Sequence, residues 1–421
     1  WGGVQPEYGY DDLCANFNEE YKDKGLQVEY VRYVNDDNGN LQLETYLMGG
    51  GDVDLFIGYG GRTKMDKRVD SNLLLDMSGM LNDIGFNLDD ELGVANMAEY
   101  HYDDGAVYGF PTKYENSRWI LINEDMFKEA GLDIPYDGWT YSEFLADAEK
   151  LTHGEGQDKV YGVCWARKQS GKSILYALDG VLGANQIYKN EEGTEVNFDN
   201  DVYRAGLNLV KETLDKGYAI PIEDEFSEDI SVANTFLQGK CAIMLGVAQM
   251  RLCMDQENYP HDFMTALVPA PVPDDEKYNT EFYRKQIGTT GAGDLLSISA
   301  NTKYPEASFE FAMWYLKGGM SPLVQGGRIP LWNGVNKDEV LSVLKEKAQG
   351  SIDMDSMENY LSLDTTQGVA AIKGHASSEI SSAWFEEFDA MCYGKQSVDQ
   401  TVQNMEKRGN ELIQTELSSQ K

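Results

Sequence analysis

Residues 103–132, DDGAVYGFPTKYENSRWILINEDMFKEAGL, constrain the fold more than any other stretch of this chain. An acidic turn at Asp103-Asp104-Gly105 opens the stretch, and an extended run follows from Ala106 to Phe110. Pro111 closes that run. A polar loop, Thr112 to Ser117, then leads into a strand of the buried type from Arg118 to Ile122 and on into a short helix. Asn123 is the expected N-cap of that helix, Met126, Phe127 and Ala130 its apolar face, and Gly131 its stop. The pattern predicts a strand-loop-strand-helix unit of α/β core in which Tyr114, Glu115 and Asn116 ride on a loop pinned between two extended segments.

At 421 residues the chain is too long for one compact core, so two lobes are expected. Acidic residues outnumber basic ones 71 to 35, a formal charge of 35 − 71 = −36. Such a surface repels nucleic acid, anionic lipid and polyanionic ligands, which favours a neutral or cationic small ligand. An acidic surface that serves solubility alone would carry the same charge. Five cysteines lie without C-x-x-C or zinc-ligand spacing, so buried thiols are expected and no metal or cofactor is called for. No apolar run reaches the 18 residues of a membrane span.

Further punctuation follows along the chain. A helix is predicted from Tyr10 to Lys24, with Leu13, Phe17 and Tyr21 four apart, then a strand from Leu26 to Val34 and a helix from Asn40 to Met48. Leu55, Phe56 and Ile57 form a short apolar run of the parallel-sheet kind, and the glycines after it place Tyr59 and Arg62 in a loop at the strand's carboxyl end, where ligands sit in open α/β sheets. Thr140-Tyr-Ser-Glu143 reads as a capping box opening a helix, and Ser397-Val-Asp-Gln400 as the start of the last one. Strands are expected at Gly162–Trp165, Cys241–Leu245 and Asp294–Ala300, and helices at Tyr203–Lys216, Ile230–Leu237 and Pro305–Leu316. Ala166 to Ser173, ARKQSGKS, falls one residue short of the phosphate-cradling G-x-x-x-x-G-K-[ST], with Ala in the first place.

The 103–132 stretch resembles a signature of the extracellular solute-binding proteins of ABC importers, in the maltose-binding-protein-like, sugar-carrying branch. The residues that carry the likeness are Asp104, Gly105, Tyr108, Gly109, Pro111, Asn123, Asp125, Phe127 and Gly131. Phe236-Leu-Gln-Gly239-Lys240-Cys-Ala242-Ile-Met244 is similar to the family's F-x-x-G-K-x-A-M element, although the "G-x-W" that often follows is replaced by Gly246-Val247-Ala248-Gln249. Trp139 before Thr140, Pro269 to Pro273, and Gly327-Arg328-Ile329-Pro330 add further likenesses in family order. The resemblance implies a non-enzymatic α/β protein of the type II periplasmic-binding-protein fold, with two lobes around a ligand cleft joined by hinge crossings. Residues 1–113 plus 294–317 are expected in lobe 1, and 114–293 plus 318–421 in lobe 2. It also implies capture of a neutral mono- or oligosaccharide by lobe closure, ABC permease subunits as partners, a monomer, no cofactor and no nucleic acid. An extracytoplasmic location follows, as a Gram-positive cell-surface lipoprotein or a periplasmic protein with its signal removed.

A neutral saccharide presents apolar C–H faces and a rim of hydroxyls, so it is held by aromatic rings and by charge-assisted hydrogen bonds. With seven Trp and 25 Tyr the chain is well supplied with rings. Trp165, Trp332 and Trp384 are the stacking candidates, each with core packing as its alternative. Glu115, four residues after Pro111 as in the maltose-binding relatives, is the foremost polar candidate, with a solvated loop carboxylate as its alternative. Tyr59, Arg62, Tyr114, Asn116, Arg167, Gln249 and Arg328 complete the expected binding set. Two other functions compete: a carbohydrate-active enzyme using a carboxylate pair, and a nucleotide-binding protein using the 166–173 loop. Only four His and no G-x-S-x-G elbow argue against a hydrolytic triad. A peptide or a polyamine in place of sugar is the remaining variant.

Overall fold

The computed structural model describes residues 9–32, 41–116, 118–167, 187–227, 235–287, 294–363 and 374–419. Its strands, in chain order, are β1 (Leu55–Gly58), β2 (Phe110–Pro111), β3 (Lys113–Tyr114), β4 (Trp119–Asn123), β5 (Tyr161–Cys164), β6 (Cys241–Leu245), β7 (Thr265–Pro269), β8 (Leu295–Ile298) and β9 (Ile329–Pro330). The chain separates into two compact units. Unit 1 is Trp1–Glu115 with Thr290–Lys347, and unit 2 is Asn116–Thr289 with Ala348–Lys421.

Unit 1 holds a sheet of order β1-β8-β2 and the small pair β3-β9. β1 runs antiparallel to β8, with Phe56 opposite Ser297, where the sequence suggested a parallel strand. The apolar run misleads here because Phe56 and Ile57 are both buried, and burial on successive residues carries no information about direction. The helix Tyr10–Glu20 is shorter than expected and buries Tyr10, Leu13, Cys14 and Phe17; of the expected stripe Leu13 and Phe17 are inside, while Tyr21 is the half-buried C-cap. Phe17 meets Phe311 and Trp314 edge-on at 5.0 and 5.2 Å, which joins this helix to Pro305–Trp314. Residues 26–31, expected as a strand, make no ladder among the described residues, and the strand's last two positions lie outside them. Residues 318–347 belong to unit 1, whereas the sequence boundary assigned them to the second lobe. The reason is pairing: β9 is bonded to β3, and the Trp332 indole donates to Glu91 at 2.7 Å.

In unit 2 a four-stranded sheet has the order β5-β6-β4-β7, parallel between β5 and β6 and antiparallel elsewhere. All five residues of β4, of β6 and of β7 are buried, so each strand reads as a continuous apolar run rather than an alternating one. Asn123 caps the helix Glu124–Glu129 by accepting from the Met126 amide at 3.1 Å. The Thr140/Glu143 capping box is formed in full, and its helix, Tyr141–Leu151, buries Tyr141, Phe144, Ala148 and Leu151. Gly162 is demanded by that packing, since a Cβ there would lie 2.3 Å from the Ala148 carbonyl oxygen. Trp139 is structural, its indole donating to the Pro269 carbonyl at 2.9 Å. The closing helices Ser377–Cys392 and Val398–Ser419 are clamped by Glu387, which accepts from Gln396, Asn404 and Arg408. Ser397 and Gln400 exchange the expected capping-box bonds. The predicted helix at 230–237 and the loop at 166–173 lie mostly outside the described residues.

Candidate functional site

Two short pairings in unit 1 gather charge around one lysine. Pro111 of β2 stands opposite Leu295 of β8, and Lys113 of β3 stands opposite Pro330 of β9. Asp294 precedes β8 and Arg328 precedes β9, so both arrive beside Lys113 although they are far from it in sequence. Glu115 follows Lys113 by two residues, the spacing that puts extended side chains on one face.

The result is a four-membered ionic chain. The Lys113 ammonium lies 2.6 Å from Glu115 Oε2 and 3.2 Å from Asp294 Oδ2. Arg328 Nη1 reaches the same Asp294 oxygen at 3.1 Å, and Nη2 donates to the Tyr59 hydroxyl at 3.3 Å. Exposure falls along the chain from 23% at the Glu115 side chain and 17% at Lys113 to 9% at Asp294 and 8% at Arg328. Two cations face two carboxylates, so the cluster is neutral as a whole. Burial alone would raise the Asp294 carboxyl, but Lys113 and Arg328 outweigh it and hold the group below its ordinary value. Burial alone would likewise lower the Lys113 ammonium, yet Asp294 and Glu115 hold it above the ordinary lysine value. Burial pushes the Tyr59 hydroxyl up, which keeps it neutral.

The structure therefore brings together Tyr59, Glu115 and Arg328 from the expected set, with Tyr114 buried beside them on β3. Arg62 is in unit 1 but committed elsewhere. Its Nε holds Asp66 at 2.6 Å, its Nη1 donates to the carbonyls of Glu99 and His101 at 2.7 and 2.9 Å, and its guanidinium lies 3.8 Å over the Tyr102 ring. Trp332 is half-buried, bonded to Glu91 and packed on Gly334, where a Cβ would lie 2.2 Å from the ring.

Four of the expected residues of unit 2 are held by unit 2 itself. Trp165 is 3% exposed, with its indole donating to Thr213 Oγ1 at 2.9 Å. Trp384 is 2% exposed and stacked on Phe388 at 4.8 Å. Both are core residues, so the stacking expectation gives way to its alternative: neither ring has a face to offer. Asn116 is buried as well. It accepts from the Arg118 amide at 3.1 Å through its side chain and donates to the Gln286 carbonyl at 3.1 Å. Arg167 grips Asp389 through Nε and Nη2 at 2.8 and 2.9 Å and lies 4.2 Å over Phe385. Gln249 is half-buried at the end of a short turn of helix.

Two residues of the cluster escaped the sequence reading. Lys113 carried a usable signal, its two-residue spacing from Glu115. Asp294 carried none, because its role depends wholly on the pairing of β8 with β2. Among the described residues no group of His, Cys, Asp and Glu is arranged to hold a metal ion, and no helix is long and apolar enough to cross a membrane.

Comparison with known proteins places these features. Residues 3–317 match the model of the bacterial extracellular solute-binding protein family, and the chain belongs to that family. Among solved structures it is similar to a substrate-binding protein of an ABC system from Listeria monocytogenes in complex with cycloalternan, at 17% identity and a TM-score of 0.71 over 97% of each chain. It is also similar to a sugar transporter from Rhizobium etli in an open conformation, at 18% identity and a TM-score of 0.70 over 97% of this chain and 98% of that one. The GacH receptor of Streptomyces glaucescens, solved unliganded and with acarbose, matches at 17% identity and a TM-score of 0.69 over 98% of each chain. The fold is that of the type II periplasmic binding proteins. The family consists of extracellular solute binders, not enzymes, so the carboxylate-pair hydrolase is set aside.

Proposed function

We propose that this chain is the extracytoplasmic sugar-binding component of an ABC importer, capturing a neutral mono- or oligosaccharide by closure of its lobes and presenting it to the permease. The observation that carries the reading is the Glu115 carboxylate. It stands four residues after Pro111 on the family's signature stretch and keeps 23% exposure beside a paired ammonium. A carboxylate so placed is a strong acceptor for hydroxyl donors. Support comes from relatives of the same fold solved with cycloalternan, acarbose and tagatose. Tyr59, Trp332 and Gln249 are proposed as further contacts; Arg62 and Arg167 would first have to leave their present partners.

The test is isothermal titration of the purified chain against cycloalternan, acarbose, tagatose, maltotriose and a chitin oligosaccharide, with ATP and spermidine as controls. Micromolar or tighter binding of one glycan, recovered uncleaved, is the expected result. Heat from ATP or spermidine alone would replace the sugar reading with a nucleotide or polyamine ligand.

A further inference from the structure

The exposed end of the ionic chain of unit 1 keeps hydrogen-bonding capacity that its own members do not use. An ammonium has three N–H donors. Lys113 spends one on Glu115 Oε2 and one on Asp294 Oδ2, and no third partner is placed on it among the described residues. Glu115 has two acceptor oxygens, and Lys113 takes Oε2 alone. One donor and one acceptor thus remain on two adjacent side chains, Lys113 and Glu115, which are the two most exposed members of the chain.

We propose that Lys113 and Glu115 form a donor and acceptor pair for the vicinal diol of a sugar ring. One hydroxyl donates to Glu115 Oε1, and its neighbour accepts the free N–H of Lys113. This deepens the sugar reading above and rests on it. Asp294 and Arg328 are positioning residues. The Asp294 carboxylate anchors the ammonium from the buried side, and Arg328 keeps that carboxylate in place. A ligand with an isolated hydroxyl satisfies only half of the pair. A carboxylated sugar at this point meets the Glu115 charge.

The chemistry also explains why lysine suits the position. A guanidinium would engage one carboxylate as a planar fork, whereas the compact ammonium can bridge two carboxylates and still point a proton outward. Asp294 and Arg328 are buried and hold the exposed pair in place, so a diol would exchange its own water for fixed, pre-oriented partners.

The experiment measures binding of the same five glycans to the wild-type chain and to Lys113→Met, Lys113→Arg, Glu115→Gln, and the double variant K113M/E115Q, with melting curves for each. For the glycan that binds the wild type most tightly, a form lacking one hydroxyl of its vicinal pair is added. Lys113→Met is expected to weaken binding by about tenfold or more while staying folded, with Lys113→Arg restoring part of the loss. Removal of the ligand hydroxyl should then cost the wild type affinity but leave Lys113→Met nearly unchanged, a pattern that a structural role for Lys113 would not produce. Wild-type affinity in Lys113→Met, or an equal penalty for the deoxy glycan in both proteins, overturns the pair while the sugar reading stands. Silence of the wild type toward all five glycans overturns the sugar reading and this inference with it.

Discussion

Unit 1 buries an arginine against an aspartate and unit 2 half-buries one, and they use the pair differently. In unit 2 the fork of Arg167 fills both oxygens of Asp389, with Phe385 packed against the guanidinium, so the pair is complete in itself. In unit 1 a single Asp294 oxygen is shared by Arg328 and Lys113, and the lysine passes the interaction on to Glu115. A bidentate pair stabilises but has nothing left to bind with, whereas a bridging ammonium transmits order to a more exposed carboxylate. On the proposed reading, charge type more than charge number decides which of the two clusters can meet a ligand.

The comparison is sharpest in stability. Asp294→Asn leaves Lys113 and Arg328 facing each other with their shared anion gone, and about 3–5 kcal/mol should be lost. Asp389→Asn, in a pair whose partners are 14% and 26% exposed, should cost about 1–3 kcal/mol. Urea unfolding of both variants checks the order, and a larger loss at Asp389 would break the distinction.

Acid provides the next contrast. A carboxyl held below its ordinary value adds stability that is present above the unfolded value, about 3.9 for Asp, and is lost as pH falls through the lower folded value. Wild-type stability should therefore drop more steeply below about pH 4 than that of Asp294→Asn, which has no such group to protonate. Parallel pH profiles for the two proteins would show that Asp294 is not the responsible group.

Smaller effects follow. Trp332→Phe keeps a ring but removes the bond to Glu91, and about 1 kcal/mol of stability should go with it, read from the melting temperature. Glu115→Gln should change stability least, within about 0.5 kcal/mol, because the amide oxygen can still accept from Lys113. Its glycan affinity should nonetheless fall by about tenfold, since a charged acceptor has become a neutral one. A variant that loses stability in step with affinity would assign Glu115 to the framework instead.

Local chemistry by itself determined a good deal of this protein. Asn123, Thr140 with Glu143, and Ser397 with Gln400 cap their helices as read, because a cap is settled within a few residues of chain. The buried character of β4 and β6 was equally plain from their apolar runs. Glu115 is singled out through the family resemblance, which marks the fourth residue after Pro111, and not through local chemistry. Tertiary structure alone decided the rest. The direction of β1, the attachment of 318–347 to unit 1, and the meeting of Lys113 with Asp294 and Arg328 all depend on strands that find partners far along the chain. So does the fate of Trp165 and Trp384, since an indole looks the same in sequence whether the fold covers both of its faces or leaves one open to a sugar. Hydrogen-bonded caps are short-range and therefore legible, whereas register and burial are collective properties of the packed units.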